Sequence, residues 1–289
     1  MALNINPVTN HREREKGVIV YSVYSRRSAG LSIGINLFPD KKSCQFNCPY
    51  CEVFPFLNNA GFSLEQMEAD LRFAIESAQE QNVAIKDICF SGNGEPTLSV
   101  AFADAFKLAE KIIASYFECN DLYAPNLVVI TNGTGLLHPQ VFSFLKDAAA
   151  ANPSFNIWLK LDAGTPEWYQ KMNRSVCSCE KLIEKIKEFV SCAPVTLQTM
   201  LCAIDGEPPP QEEAQAWEKL VCELTANSVN TPYGKRSNVR KVQLYGKARS
   251  APEDPLASEL PAEYLEERAV SLHSAFARES ISTPVEIYI

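Results

Sequence analysis

The strongest constraint on the fold of this sequence is its regular alternation of strand-like and helix-like segments. Residues 31–38 alternate apolar and polar side chains with a period of two, which is typical of a strand. Further apolar runs lie at residues 85–90, 127–130, 155–161, 195–203, 239–245 and 285–289. The repeating unit is roughly 30 to 40 residues long, which leaves room for a helical crossover between parallel strands.

Helix-like patterns fill the intervals between these runs. Ser63 followed by Gln66 is a capping-box pattern, and it predicts a helix that begins there and continues to about residue 80. Other helices are predicted at residues 99–117, 138–150, 211–225 and 262–278, and helical segments are predicted around residues 165–190. The order predicts an α/β fold with parallel strands, a partial (βα)6 TIM-type barrel with a short C-terminal helix–strand extension. A doubly wound open sheet is the alternative that periodicity leaves open.

The chain has no glycine- or serine-rich linker, and its 289 residues suit one large domain or two small ones. We expect residues 1–250 to form the partial barrel with an N-terminal strand. Residues 251–289 are expected to pack on the barrel as a helix and a strand of the same domain.

Charge and hydropathy limit where the protein works and what it binds. No apolar run approaches the roughly 20 residues that span a bilayer, and the N-terminus lacks the apolar stretch of a secretory signal, so we expect a cytoplasmic protein without membrane contact. The net charge of −8 disfavours broad binding to phosphate backbones, and DNA is not expected as a partner. The basic segment 235–241 leaves a locally recognised RNA possible, although a solvated loop is its more ordinary interpretation.

Three of the ten cysteines fall within eight residues. Cys44, Cys48 and Cys51 have C-x3-C-x2-C spacing in the loop after the first parallel strand. In a reducing compartment, clustered cysteines indicate metal or redox chemistry rather than disulfides. Three thiolates can hold a four-iron cluster while leaving one iron open, whereas structural zinc usually takes four protein ligands, and no second knuckle is evident. Structural zinc and chance clustering remain as alternatives.

These cysteines carry a family resemblance. With Tyr50 directly before the last cysteine and a (βα)6 pattern around it, the triplet resembles the radical S-adenosylmethionine (SAM) superfamily. Residues 25–51 resemble, more narrowly, the stand-alone Fe–S oxidoreductases related to the wybutosine-synthesis enzymes that modify tRNA. The resemblance implies a [4Fe–4S] cluster on the three cysteines with SAM on the open iron. It also implies reductive cleavage of SAM to a 5′-deoxyadenosyl radical, hydrogen abstraction from a substrate, and a small electron donor of the flavodoxin or ferredoxin type.

The segment after the second parallel strand reads SGNGEPTL and is similar to the Gly-Gly-Glu-Pro segment that binds the SAM amino group in this superfamily. The resemblance makes Gly92, Asn93, Gly94 and Glu95 candidates for SAM contacts. Glycine lets a backbone approach a ligand closely, and a carboxylate can accept hydrogen bonds from an ammonium group. A plain turn is the alternative.

Other candidates lie at the ends of later strands, on the edge where parallel α/β folds build their sites. Asn132 follows the third parallel strand; Lys160 and Asp162 share one face at the end of the fourth. The resemblance implies that Asp162 contacts the ribose hydroxyls and that Lys160 neutralises the SAM carboxylate, with a structural Lys–Asp pair as the alternative. Gln198 and Tyr245 are candidates for the adenine or substrate end, as is Gln243.

Several questions stay open at this point. Cys177 and Cys179 could ligate an auxiliary cluster, although buried cysteines are common as small apolar side chains. The substrate could be an RNA base, a small molecule or a peptide, and no residue is identified as its acid, base or radical partner. An Fe–S electron-transfer or iron-sensing protein that does not cleave SAM is the alternative function.

Overall fold

The computed structural model describes residues 17–119, 123–226, 228–231, 234–249, 251 and 256–289. The N-terminal residues 1–16 lie outside the described part, as do the side chains of residues 235 and 236 in the basic segment. The chain divides into two compact units. The first contains Met1–Cys44, Val53–Thr131 and Asn152–Asn156, and the second contains Gln45–Glu52, Asn132–Ala151 and Ile157–Ile289.

The first unit is built from a run of strands backed by two helices. Its elements are β1 (Val20–Ser25), β2 (Gly30–Ile35), α1 (Leu64–Glu80), β3 (Ile85–Phe90), α2 (Phe102–Cys119) and β4 (Asn126–Thr131). The strand order is β1-β2-β3-β4. β1 is antiparallel to β2, whereas β2, β3 and β4 are mutually parallel.

The beginning of α1 shows how the sequence directs local structure. Ser63 accepts a hydrogen bond from the backbone N–H of Gln66, as the capping-box pattern predicts, and this satisfies a donor that the first turn of the helix leaves unpaired. The Gln66 side-chain amide donates a hydrogen bond to Asp70, one turn further along the helix (2.7 Å). Met67 and Leu71 are fully buried on one helix face.

The first helix of the second unit is α3 (Pro139–Ala151), and the unit includes the last four residues of β5 (Phe155–Lys160). Its other elements are α4 (Pro166–Met172), α5 (Cys179–Cys192), β6 (Val195–Leu201), β7 (Ala203–Ile204), α6 (Gln211–Ala226), β8 (Ser228–Thr231), β9 (Gly234–Ser237), β10 (Val239–Gly246), β11 (Ala257–Ser258), α7 (Ala262–Arg278) and β12 (Val285–Tyr288). β5, β6, β10 and β12 follow one another in the sheet and are parallel.

The register of these four strands aligns one polar residue from each. Lys160 pairs with Gln198, Gln198 with Gln243, and Gln243 with Glu286. Residues in register project from the same face of a sheet, so this alignment forms a polar row. The register between strands, which sequence periodicity does not supply, creates this row.

The predicted α/β class with parallel strands is confirmed, and the structure is consistent with a partial TIM-type barrel. The helical segments predicted around residues 165–190 are two helices, α4 and α5. The chain turns between them at Arg174, whose backbone adopts a positive φ of 46°, and a helix cannot continue through that conformation. β1, the β8–β9 hairpin and the short β7–β11 pair are elements whose positions periodicity did not predict. The division at residue 250 stays a prediction.

Within the residues that the structure describes, every helix is too short or too polar to cross a lipid bilayer.

Candidate functional site

The first unit ties the residue before Cys44 to the turn formed by residues 92–96, called here the GNGEP turn. The Ser43 N–H donates to the Asn93 carbonyl (2.9 Å), and the Glu95 N–H donates to the Ser43 carbonyl (2.8 Å). Two backbone hydrogen bonds therefore hold the first cysteine-bearing residues against the turn. The Asn93 carbonyl, a candidate acceptor for the SAM amino group, already accepts one hydrogen bond.

Close backbone approach explains both glycines of the turn, Gly94 against Ser43 and Gly92 against Asn36. A Cβ on Gly94 would lie 1.9 Å from the Ser43 carbonyl oxygen, where no side chain fits. Gly92 has a φ of +134°, and a Cβ there would lie 2.7 Å from Asn36 Oδ1. The same Asn36 oxygen accepts the Asn93 N–H (3.1 Å). The glycines are thus required for packing, and their contact with SAM stays a prediction.

Glu95 is buried and already has local partners in the first unit. Its Oε1 accepts hydrogen bonds from the Thr97 N–H (3.2 Å), the Thr97 hydroxyl (2.6 Å) and the Thr131 hydroxyl (2.7 Å). These bonds cap the short 3₁₀ turn Pro96–Leu98 and attach it to the end of β4. Glu95 therefore has a structural role that the motif did not predict, and its bond to the SAM ammonium stays a prediction.

Asn132 closes a turn at the end of β4. Its Oδ1 accepts the Thr134 N–H (2.9 Å) and the Thr134 hydroxyl (2.6 Å), and the residue is buried. This is the local side-chain-to-backbone bonding for which asparagine is favoured in turns. A contact between Asn132 and SAM stays a prediction.

The second unit brings four predicted site residues into one group around Lys160. Its ammonium lies 3.3 Å from Asp162 Oδ1 and hydrogen-bonds the Tyr245 hydroxyl. It also lies 4.8 Å from the ring centres of both Tyr50 and Tyr245, within the range of cation–π attraction. The Tyr50 hydroxyl donates to Asp162 Oδ2. The shared face predicted for Lys160 and Asp162 is therefore accompanied by two aromatic rings.

Asp162 is the common acceptor of this group, and its side chain is fully buried. Besides the bond from Tyr50, it accepts the Met200 N–H (2.9 Å) and the amide of Asn173 (3.1 Å). A buried carboxylate needs such partners because burial removes its hydration. These contacts agree with the structural Lys–Asp alternative, and the SAM contacts of Lys160 and Asp162 stay predictions.

The protonation of the group follows from its burial and its charges. Burial by itself would lower the pKa of Lys160, but Asp162 and Tyr245 hold that pKa above its usual value, so the ammonium stays charged. Burial, followed by the Asp162 carboxylate, raises the pKa of Tyr50 well above 10. Tyr50 is therefore a hydroxyl donor at neutral pH. Burial also raises the pKa of the Cys48 thiol, to about 11.

The polar row is hydrogen-bonded from β6 to β12. The Gln198 amide donates to Gln243 Oε1 (2.7 Å), and the Gln243 amide donates to Glu286 (3.1 Å) and to the Tyr288 hydroxyl (3.2 Å). Both glutamines are completely buried, which explains why each needs partners inside the sheet. Their role in binding adenine or substrate stays a prediction. Glu286 and Tyr288 were not singled out because they follow ordinary strand alternation.

Asn173 is a site residue that sequence reasoning missed. It follows the last residue of α4, and its Nδ2 lies 3.6 Å from Cys48 Sγ. Asn173 is 125 residues from Cys48 and belongs to no recognisable motif. A polar residue at the end of a helix is an ordinary sequence feature, so only the folded chain reveals this contact.

The cysteines have the chemistry that an open Fe–S site requires. None of those in the described residues forms a disulfide; Cys44 is exposed, and Cys48 and Cys51 are half-buried. Among the residues that the structure describes, no group of three or more His, Cys, Asp or Glu side chains is already arranged around a metal position. Three thiols on one short loop, one of them receiving an amide hydrogen bond, fit the donor set of a cluster.

The other candidate cysteine pair has a different setting. Cys179 begins α5 and is buried, which raises the pKa of its thiol to about 12. Cys177 is half-buried. An auxiliary cluster on these two residues stays untested.

Comparisons with known sequences give partial matches. No family model matches the chain. A UPF0026 protein of Helicobacter pylori is 28% identical over 140 residues, which is 46% of this chain and 41% of that protein. A UPF0026 protein of Synechocystis is 26% identical over 193 residues, 63% of this chain and 64% of that protein. The chain thus spans less than half the length of the Helicobacter relative.

Comparisons with solved structures identify the fold. SuiB of Streptococcus suis bound to precursor peptide SuiA has a TM-score of 0.63 at 11% identity, covering 91% of this chain and 50% of that one. A radical SAM methyltransferase of Sphaerobacter thermophilus has a TM-score of 0.59 at 16% identity, covering 92% and 68%. TYW1 with a lysine-pyruvate adduct has a TM-score of 0.50 at 16% identity, covering 84% and 73%. The chain shares its fold with radical SAM enzymes, and the predicted resemblance is confirmed at that level.

Proposed function

We propose that this protein is a radical SAM enzyme whose [4Fe–4S] cluster is held by Cys44, Cys48 and Cys51. When bound, the cluster and SAM would supply a 5′-deoxyadenosyl radical that abstracts hydrogen from a substrate. The observation that carries the proposal is the combination of a C-x3-C-x2-C loop with the fold of radical SAM enzymes. Neither feature alone is sufficient, because a fold hosts many functions.

The chain's own residues hold the cysteine loop at two points. Ser43 holds the start of the loop to the GNGEP turn, and Asn173 accepts the Asn47 N–H on its carbonyl (2.8 Å), just before Cys48. The loop is thus attached at Ser43, just before Cys44, and at Asn47, just before Cys48. Such attachment limits the movement of the thiols, and a site held in place binds its ligand at a smaller entropic cost.

The candidate SAM-binding residues are assigned to different parts of SAM according to their chemistry. In this proposal, the GNGEP turn binds the SAM amino group, with Gly92, Asn93 and Gly94 giving backbone access and Glu95 giving charge. The Lys160 ammonium faces the SAM carboxylate, and Asp162 faces the ribose hydroxyls. Tyr50, Asn132, Gln198 and Tyr245 are the remaining candidates for contacts with adenine or substrate.

The wider biology is part of the same proposal. We expect a cytoplasmic enzyme that receives electrons from a flavodoxin- or ferredoxin-type protein. SuiB has been crystallised with a precursor peptide, which supports a peptide as one substrate class. An RNA base and a small molecule are the other classes, and the net charge of −8 favours local recognition over broad phosphate contact.

The test is an anaerobic turnover assay on the full chain. The protein is reconstituted with iron and sulfide, reduced with dithionite and given SAM, and 5′-deoxyadenosine is measured by chromatography. The wild type should release 5′-deoxyadenosine, and Cys44→Ala should not. Cys192→Ala is the matched control, because Cys192 is also exposed but lies at the end of α5, outside the triplet.

Binding of SAM by reduced wild-type protein without any cleavage product would overturn the proposal. Equal product from Cys44→Ala and Cys192→Ala would overturn the cysteine assignment. Adding separated cell fractions of small molecules, RNA and protein to the same assay identifies the substrate class as the fraction that increases 5′-deoxyadenosine.

A further inference from the structure

The side-chain amide of Asn173 lies between a carboxylate and a cysteine sulfur. The residue is 2% exposed, and its Nδ2 is 3.1 Å from Asp162 Oδ2 and 3.6 Å from Cys48 Sγ. A carboxylate only accepts hydrogen bonds, so the amide must turn its NH₂ group toward Asp162. The second hydrogen of the same nitrogen is then available to the sulfur. Asp162 thereby determines that Asn173 donates to Cys48.

Backbone hydrogen bonds hold Asn173 beside the cysteine loop. Its N–H donates to the Tyr169 carbonyl (2.8 Å), which completes the last turn of α4. Its own carbonyl accepts the N–H of Asn47 (2.8 Å), the neighbour of Cys48 in the chain. The backbone contact between Asn173 and the loop is therefore independent of the side-chain contact. Losing the amide would leave the loop attached.

The other end of α4 is equally well anchored. Thr165 caps the helix by accepting the Trp168 N–H, and the buried carboxylate of Glu213 accepts the N–H groups of Gly164 (2.6 Å) and Thr165 (2.9 Å). A helix held at both ends keeps the position of its terminal residue well defined. The amide of Asn173 is thus a preorganised donor rather than a mobile surface group.

We propose that Asn173 is a positioning residue that raises the reduction potential of the cluster through its hydrogen bond to Cys48. This inference rests on the proposed function, because it takes Cys48 as a cluster ligand. Reduction adds one electron from the donor protein, with no bond made or broken, and places more negative charge on the sulfurs. An N–H directed at a ligand sulfur stabilises that charge, so the reduced state becomes more favourable.

The test is a redox titration of the reconstituted full chain without SAM, followed by the EPR signal of the reduced cluster. Asn173→Leu removes both amide hydrogens at similar volume, and its midpoint potential should be more negative than that of the wild type. Asn238→Leu is the matched control. Asn238 is also a buried amide of the second unit, but its Nδ2 donates to the Val190 carbonyl (2.7 Å). Its midpoint should equal that of the wild type.

A second variant keeps the test decisive if Asn173→Leu does not fold. Asn173→Ser keeps a small polar group near Asp162 but is too short to bond the sulfur, so its midpoint should also be more negative. An unchanged midpoint in the folded Asn173 variants would overturn the inference, and so would an equal shift in Asn238→Leu.

The wild type offers an independent measurement. With ¹⁵N-labelled asparagine, pulsed EPR of the reduced cluster should show a nitrogen coupling that Asn173→Leu lacks, and its absence from the wild type would overturn the inference. If the wild type itself forms no cluster, the proposed function fails and this inference fails with it. A cluster that forms and cleaves SAM but has an unchanged midpoint in the variants contradicts the inference alone.

Discussion

The two units hold their candidate site residues by different means. In the first, the GNGEP turn is held by backbone hydrogen bonds to Ser43 and by glycines that admit no side chain. In the second, Lys160, Asp162 and Tyr50 are held by one another's charges and hydroxyls. The first arrangement depends on shape and the second on electrostatics.

This difference determines how each region tolerates change. A backbone contact is lost when volume is added, whatever the charge of the new side chain. A buried charge network is lost when one charge is removed, even at constant volume, because the remaining charge loses its opposite charge and burial still limits its hydration. Substitutions that alter only volume or only charge therefore distinguish the two regions.

The largest effect is expected from Asp162→Asn in the second unit. This change keeps the volume but leaves the Lys160 ammonium, 11% exposed, without its carboxylate. We expect the free energy of unfolding to fall by about 3–5 kcal/mol, measured by chemical denaturation. Glu223→Gln, which breaks an exposed 2.7 Å pair with Lys187, is the control and should cost less than about 1 kcal/mol.

The double variant Asp162→Asn with Lys160→Met should recover part of the lost stability, since it removes the unpaired cation as well. A loss of stability in Asp162→Asn no greater than that in Glu223→Gln would contradict the electrostatic description of the second unit.

The next effect is expected from Gly94→Ala in the first unit. The added Cβ would lie 1.9 Å from the Ser43 carbonyl oxygen, so the two segments must separate. We expect a loss of about 1–3 kcal/mol in the free energy of unfolding. Gly61→Ala, where a Cβ would meet no atom within 4 Å, should leave stability nearly unchanged. Equal stability of the two variants would show that the turn does not depend on close backbone approach.

Glu95→Gln tests whether a charge matters within the shape-dependent region. Glutamine keeps an oxygen that can accept from Thr97 and Thr131, so stability should change by less than about 1 kcal/mol. The proposed function requires the charge for the SAM ammonium, and SAM affinity should fall about tenfold, which corresponds to roughly 1.4 kcal/mol. Isothermal calorimetry on reconstituted protein measures it. Unchanged affinity would leave Glu95 with its capping role alone.

The smallest effect is expected from Asp87→Asn, also in the first unit. Asp87 is 3% exposed and accepts a hydrogen bond from Ser32; burial raises its pKa above 3.8, partly offset by Ser28, Ser32 and Arg27. The folded state therefore binds this proton more tightly than the unfolded chain. Stability from this group is complete at low pH and is lost as pH rises through the folded-state pKa.

Asp87→Asn should remove that part of the pH dependence and raise stability at neutral pH by less than about 1 kcal/mol. Denaturation midpoints of both proteins over a pH series measure the difference in slope. A variant with the same slope as the wild type would show that Asp87 is not penalised by burial.

The periodicity of apolar residues predicts most of the helices and strands, but it does not predict where the chain breaks between them. The runs at residues 85–90 and 239–245 become β3 and β10, and the pattern at residues 262–278 becomes α7. The two strands are mostly buried, and α7 buries one continuous apolar face. Helical segments were expected around residues 165–190, but the position of the break between α4 and α5 depends on the positive φ of Arg174, which periodicity does not indicate.

The candidate site was predictable where a motif or a strand end marked it. Lys160 and Asp162 were paired by alternation along one strand, and the structure places them 3.3 Å apart. Glu286 and Asn173 lie in no motif and follow no predicted strand end that would indicate a site. Glu286 joins the polar row through the register of β12 with β10, and Asn173 reaches Cys48 because α4 ends beside the cysteine loop.

The α/β class, the spacing of the three cysteines and the N-cap of α1 at Ser63 can be read from the chain, because each depends on residues that are neighbours along it. Which donors meet which acceptors depends on the folded arrangement. Ser43 pairs with the GNGEP turn and Asn173 donates to Cys48 because folding joins residues separated by 50 or more positions. Periodicity records which face of a segment is buried, and it holds no information about the distant group that face will meet.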